Sequence, residues 1–331
     1  MQELHGYHPG QLPPDLEASG QPAVLRGFVR DWPAVQAGVH SRHSLIGYLK
    51  RLDAGVPVDV LMTPPAAQGR LGYNEAFDGF NFARNRLPLS QIAEQVARYA
   101  EFRDAPAVAA QSALLCNCLP GFSAENPLPA LPPGVLPRIW LGNRITTPAH
   151  VDEWNNLGCV IAGRRRFTLF PPDQVGNLYV GPLDFAPTGA PMSLVALHAP
   201  DFSRHPRFRE ALASAQVAEL GAGDAVFIPP LWWHHVESLE DFNVLVNYWW
   251  HARSADPAGA DSAFDALLHA LLSIRALPKA NREAWAALFE QYVFGDSDLS
   301  HIPPQRLGLL GDLTDAQRSA LRAHLARRLT P

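Results

Sequence analysis

Residues 146–172, TTPAHVDEWNNLGCVIAGRRRFTLFPP, decide the reading of this chain once they are set beside residues 223–238, GDAVFIPPLWWHHVES. The first stretch offers His150-x-Asp152, and side chains two apart on a strand project to the same face, so an imidazole and a carboxylate share one side. The second supplies His234 about eighty residues later, just past the apolar run AVFIPP, where a distant strand of a barrel can bring it back across. Two histidines and one carboxylate on one face of a metal leave the opposite face open, which is the donor set of non-haem Fe(II) sites.

His-x-Asp alone is a weak signature, because a surface strand carrying a solvated Asp and a capping His gives the same letters. The neighbours strengthen it. Between the two stretches, Gly163-Arg164-Arg165-Arg166 reads as a tight hairpin joining the strand LGCVIA to the strand RRFTLF. Arg165 has the parity of Phe167 and Leu169. If that face is buried, Arg165 points inward and needs an anion, since an unpaired buried charge is costly. Its planar fork suits a carboxylate held by two parallel hydrogen bonds. Charge pattern alone equally allows all three arginines to be a solvated turn. Asn156 has the parity of His150 and Asp152, and in NVLVNYWW Asn247 shares a face with Leu245 and Trp249. Either asparagine alone can be a polar residue at a strand end; beside an inward arginine and a metal triad, both read as hydrogen-bonding groups for a dicarboxylate.

TPAHVDEWNN, GRRRFTLFPPDQ, PDFSRHPRFREA, GDAVFIPPLWWHHVES and VNYWW resemble, in order and spacing, the JmjC-like cupin (cupin-8) family of Fe(II)- and 2-oxoglutarate-dependent oxygenases, with a pattern close to that of its asparaginyl hydroxylases. The resemblance runs from about Pro22 to about His251. It implies a mainly β fold with flanking helices, a double-stranded β-helix (jelly-roll) core, and a C-terminal helical segment. It further implies Fe(II) on His150, Asp152 and His234, and 2-oxoglutarate contacts from Thr147, Asn156, Arg165 and Asn247, with O2 as the other cosubstrate. Activity of that kind releases succinate and CO2 and hydroxylates a protein side chain or a small molecule; hydroxylation is favoured over demethylation because nothing in the chain resembles a methyl-lysine cage. Two departures stand out. The family pattern most similar to this one has lysine where this chain has Arg165. Where the family often places a tyrosine two residues before a glutamine, the chain reads Val108-Ala109-Ala110-Gln111-Ser112, leaving Ser112 or a water to replace the missing phenol and Gln111 as a pocket-wall residue. Trp249 is the preferred aromatic wall. His235 competes with His234 for the metal, but adjacent strand residues face opposite ways; the family register selects His234 and leaves His235 a structural hydrogen bond. Two further readings stay open: a metal-binding cupin that senses or scaffolds without turnover, and a cupin isomerase or hydrolase using another divalent metal.

Composition bounds the rest. A chain of 331 residues with 47% hydrophobic and 18% charged residues suits a soluble globular protein with a substantial core. A net charge of −5 gives no basic footprint for nucleic acid. No apolar run reaches the length of a membrane span, and MQELHGYHPGQLPPDLEASG lacks the charge and apolar centre of a signal peptide, so a cytoplasmic location is expected. Cys116, Cys118 and Cys159 are odd in number and sparse, which argues for free thiols. Along the chain, residues 1–20 read as an arm lying on the body, 43–53 and 88–101 as helices, 57–62 as a strand, and 176–203 as an insert too long for a plain connection, which the resemblance implies borders the substrate cleft. The expected domains are 1–256, a cupin oxygenase domain with its N-terminal flank, and 257–331, a helical segment. There Phe264, Leu267, Leu268, Leu271 and Leu272 form a stripe too apolar for water, which packs on the barrel's flank or buries against a second copy; the resemblance implies a homodimer through the C-terminal helices.

Overall fold

In the computed structural model, which describes residues 1–187, 189–251 and 262–329, an apolar run flanked by turns becomes a strand buried on both faces. Thirteen strands are named in chain order: β1 Gln2–Leu4, β2 Ala23–Leu25, β3 Val58–Thr63, β4 Ala83–Leu87, β5 Ala107–Leu114, β6 Pro137–Gly142, β7 Thr146–His150, β8 Asn155–Ala162, β9 Arg165–Phe170, β10 Gln216–Leu220, β11 Ala225–Ile228, β12 Trp233–Ser238 and β13 Asn243–Trp250. They form a nine-stranded sheet in the order β1-β2-β11-β8-β13-β6-β5-β3-β4 and a four-stranded sheet in the order β10-β9-β12-β7. From β6 onward the chain passes back and forth between the sheets, with β6, β8, β11 and β13 in the larger and β7, β9, β10 and β12 in the smaller. That alternation is a jelly roll, the mainly β core expected from the sequence.

β8 shows why its sequence does not alternate apolar with polar. Leu157, Cys159 and Ile161 face a core shared with helices α1 (Pro33–His40), α2 (Arg42–Leu52) and α3 (Leu89–Tyr99), which cover the outside of the larger sheet. Val160 faces the other way, into a core between the sheets built with Phe167, Leu169, Val226, Ile228 and Leu245. In α3, Leu89, Ile92, Ala93 and Val96 recur at helical spacing and are fully buried. Each of the larger three stabilises the fold by about 1.5–3 kcal/mol. The outer face of the smaller sheet is covered in turn: Phe170 and Trp233 pack against Leu178, Val195 and Phe208 from the long insert and the helix Phe208–Ser214. The N-terminal arm contributes β1, parallel to β2.

One expectation is overturned. Gly163 does not turn a hairpin: β8 pairs with β11 and β13, whereas β9 pairs with β10 and β12. The two-residue link Gly163-Arg164 instead carries the chain from one sheet to the other, so Gly163 takes φ +76° and its backbone passes against Phe242 and Asn243. The run QPAVLRGFVRDW holds a strand at Ala23–Leu25, after which the chain turns and Pro33 opens α1. The backbone divides into two compact units, Met1–Ala260 and Asp261–Pro331. The expected boundary at 256/257 lies within residues 252–261, outside the described residues. The second unit carries the helices Ala263–Ser273, Lys279–Phe289 and Asp315–Leu329. No helix among the described residues is long and apolar enough to cross a membrane.

A side chain at the sheet crossing should be tolerated poorly. A Cβ on Gly163 would sit 2.6 Å from the Phe242 carbonyl oxygen and overlap the Asn243 side chain, at a φ that L-residues rarely adopt. Gly163→Ala is expected to lower unfolding free energy by roughly 1–3 kcal/mol, read from denaturant midpoints at unchanged slope.

Candidate metal and cosubstrate site

His150 closes β7, His234 lies at the start of β12, and the two are cross-strand partners. Their ring centroids are 4.1 Å apart. Asp152 stands two residues past the end of β7, so strand alternation alone does not place it; its carbonyl oxygen accepts from Leu231 N–H at 2.9 Å, which fixes the loop beside β12. One ligand atom from each of the three groups lies within 4.8 Å of the others, and Asp152 Oδ2 is 3.5 Å from His234 Nε2. His235, one residue on, is not part of this group.

The backbone sets both imidazole tautomers. His150 Nδ1 is 2.9 Å from Pro148 O and His234 Nδ1 is 3.0 Å from Trp232 O. A carbonyl oxygen only accepts, so each Nδ1 carries the proton and each Nε2 keeps a lone pair for a metal. Burial, with the neighbouring His234, pushes the pKa of His150 down to about 4, so its ring is neutral at pH 7. Burial also opposes charge on His234, but the hydrogen bond and charge of Asp152 outweigh it and raise the His234 pKa. Desolvation of Asp152 is outweighed in the same way by His234 and His150, so its carboxyl group stays below the usual range. A cation attracted by the carboxylate, taking the place of the proton that Asp152 favours on His234 Nε2, suits this donor set.

Above the triad runs a line of side-chain hydrogen bonds. Trp140 Nε1 donates to Asn247 Oδ1 at 2.8 Å, Asn247 Nδ2 to Asn156 Oδ1 at 3.1 Å, and Asn156 Nδ2 approaches Asp152 Oδ2 at 3.5 Å. The amides are thereby oriented from the sheet toward the carboxylate. Trp249 packs edge-on against Trp140 with centroids 6.2 Å apart; its buried Nε1 meets no hydrogen-bond partner at normal distance among the described residues, and the indole N–H helps to lower the Asp152 pKa. All these side chains line one cavity of about 160 Å³, together with Thr147 and Ser112.

Arg165 lines the cavity from its other end. It opens β9 opposite Ser238, the last residue of β12, whereas the histidine pair lies at the beginning of β12. Its side chain is inward and 8% exposed, and Nε has no hydrogen-bond partner among the described residues. Arg164 and Arg166 form the solvated part of the turn, paired with Glu240 and Glu219. Burial alone lowers the Arg165 pKa to about 10, which still leaves it charged at neutral pH. No carboxylate among the described residues forms an ion pair with it. A cation held this way in an apolar interior, with Phe167 and Val226 beside it, fits the far carboxylate of a short diacid reaching in from the metal.

The cavity departs from the sequence reading at Gln111, which does not line it. The β5–β6 register slips between Ala110 and Ala113, Ser112 takes φ +48°, and Ser112 faces the cavity instead. Trp140 went unread although it shares strand parity with Arg138 in PRIWLG, an available signal that one face of β6 carries large polar-tipped side chains. The long insert reaches the cavity through Ala190. A histidine pair and an aspartate able to hold a metal at one end of a jelly roll, with an arginine lacking an ion-pair partner among the described residues at the other, define a JmjC-type cupin. The chain belongs to the Cupin-like domain family, which matches residues 10–256.

Individual relatives agree. Over 276 residues the chain is 27% identical to human bifunctional peptidase and (3S)-lysyl hydroxylase JMJD7, the match covering 75% of this chain and 80% of that protein. It is 40% identical over 103 residues to Arabidopsis thaliana lysine-specific demethylase JMJ31, covering 31% of this chain and 18% of the relative. It is 32% identical over 149 residues to human HSPB1-associated protein 1, covering 44% and 30%. The matched part thus spans less than a third of the length of either of these last two relatives.

Metal titration separates the triad from its neighbours. By calorimetry with Mn(II), His150→Ala and His234→Ala are expected to abolish binding, His235→Gln to leave one site, and Asn247→Ala to weaken affinity by about 10–100-fold through loss of outer support.

Proposed function

We propose that this chain is an Fe(II)- and 2-oxoglutarate-dependent oxygenase that hydroxylates a protein side chain or a small molecule, releasing succinate and CO2. One observation carries the reading: the same cavity holds two imidazoles and a carboxylate with ligand atoms within 4.8 Å of one another and, at its opposite end, a buried arginine with no counter-ion among the described residues. His150, Asp152 and His234 would hold the iron, which when bound supplies O2 activation coupled to oxidative decarboxylation of 2-oxoglutarate. The residues do the positioning. Arg165 grips the diacid by its far carboxylate, with Thr147 beside it on the cavity wall, and Asn156 and Asn247 orient the near end. Phe167, Val226, Ile228 and Leu245 exclude water along its length. Trp249 walls the metal end. Hydroxylation is favoured over demethylation by the extent of the match to a protein named as a lysyl hydroxylase, against the short match to one named as a demethylase.

The C-terminal unit supports a homodimer. None of its described residues is buried, and Leu267, Leu272, Trp285, Leu288 and Tyr292 are 48%, 78%, 45%, 46% and 54% exposed. Helices with apolar faces this open are stabilised by a partner surface, and a second copy offers the same surface in return.

Two measurements test these readings. Succinate formation with Fe(II), 2-oxoglutarate and air should vanish in His150→Ala. In Arg165→Ala the KM for 2-oxoglutarate should rise roughly 100-fold, equivalent to about 3 kcal/mol of charge-assisted hydrogen bonding. Tight Mn(II) binding without any turnover would favour a scaffold instead. Light scattering should give the mass of two chains for the wild type and of one for Leu272→Asp; a wild-type monomer removes the dimer.

A further inference from the structure

The cosubstrate reading leaves one cation at the cavity's metal end without a task. Arg138 is the second residue of β6 and shares strand parity with Trp140, so its side chain faces the barrel interior, opposite Asn247 on β13. Its guanidinium carbon lies 5.5 Å from the Trp249 ring centroid. Nη1 donates to Ser112 O at 3.0 Å and to Ser112 Oγ at 3.3 Å. Ser112, Trp140, Asn247 and Trp249 all line the cavity, and Arg138 adjoins each of them by contact or along the strands.

The position follows from topology. β6 and β8 begin, and β7 and β13 end, where the histidine pair sits, while Arg165 marks the opposite end of β12. The two inward arginines are therefore at opposite ends of one barrel. If Arg165 serves the deep end of the diacid, Arg138 stands where a second molecule must approach the metal. No carboxylate among the described residues forms an ion pair with Arg138, and its Nε and Nη2 have no hydrogen-bond partner among them. Partial burial lowers its pKa against a smaller opposing influence of Cys116, the direction expected of a guanidinium that has lost water. Holding it against the Trp249 face leaves one edge of the fork open, and that edge fits a carboxylate through two parallel hydrogen bonds. A single guanidinium matches the single charge of a carboxylate.

We propose that Arg138 is a specificity-determining residue for the prime substrate, which presents a carboxylate at the mouth of the cavity beside the C–H bond to be hydroxylated. This rests on the oxygenase reading, and the test is chosen to fail separately from it. Saturation-transfer NMR on the full chain, without metal and again with Zn(II) and 2-oxoglutarate, would compare N-acetylglutamate amide, N-acetylglutamine amide and malate. The carboxylate probes should bind and the glutamine probe should bind at least about tenfold more weakly, a difference of about 1.4 kcal/mol. Arg138→Gln should remove that preference, and Arg138→Lys should keep part of it, with 2-oxoglutarate affinity unchanged in both. Preference for malate marks a free acid, and preference for the glutamate probe marks an acidic side chain of a peptide. Equal binding of the glutamate and glutamine probes to the wild type, no carboxylate binding at all, or a preference that survives in Arg138→Gln overturns the proposal. If Arg138→Gln does not fold, a preference in Arg138→Lys as large as that of the wild type overturns the proposal. Failure of Zn(II) or 2-oxoglutarate to bind would count against the oxygenase reading and leave the metal-free comparison standing.

Discussion

An arginine carried inward on a strand, away from water and with no acid among the described residues to meet it, is the constraint around which the barrel makes sense. Removing a guanidinium from water costs several kcal/mol unless another charge restores the balance. Arg164 and Arg166 avoid that cost by pairing with Glu240 and Glu219 at the surface, while Arg165 between them does not. The crossing at Gly163 makes the difference. Had the turn been a hairpin within one sheet, β8 and β9 would share a face and the interior would not close over Arg165. Because the link jumps between sheets, the first residue of β9 is directed into the space between them, opposite the end where the histidines lie.

Closure also explains how a weak local signal becomes a defined donor set. His150 and His234 are cross-strand neighbours, so the register of β7 against β12 holds them together. Both rings are then locked by carbonyl groups two residues earlier, a local constraint repeated on two strands. The line from Trp140 through Asn247 and Asn156 crosses three adjacent strands of the larger sheet and ties its inner face to Asp152.

Much of this was legible in the letters. His-x-Asp with a distant histidine, the inward parity of Arg165, and the shared faces of Asn156 and Asn247 all follow from spacing, and the structure brings those residues into one cavity. What was not legible depends on irregularity. A turn of glycine and arginine looks alike whether it joins paired strands or crosses between sheets. The slip after Ala110 exchanges Gln111 for Ser112, and a left-handed serine leaves no mark in sequence. Asp152 reached its place through a loop anchored at Leu231, so the alternation argument gave the correct neighbour for an incomplete reason.

The N-terminal arm ends close to the chemistry. Glu17 accepts from Trp250 Nε1 at 3.1 Å and from Asn155 Nδ2 at 3.0 Å, and Gly20 O accepts from Trp232 Nε1 at 3.0 Å. Trp250 and Asn155 are each one residue from Trp249 and Asn156, on the outward side of the same two strands. The first twenty residues thus act as an external brace on the ligand-bearing end. Trimming the chain at its start to obtain a minimal barrel would loosen the tryptophan and asparagine backbone from outside, without altering one residue that lines the interior.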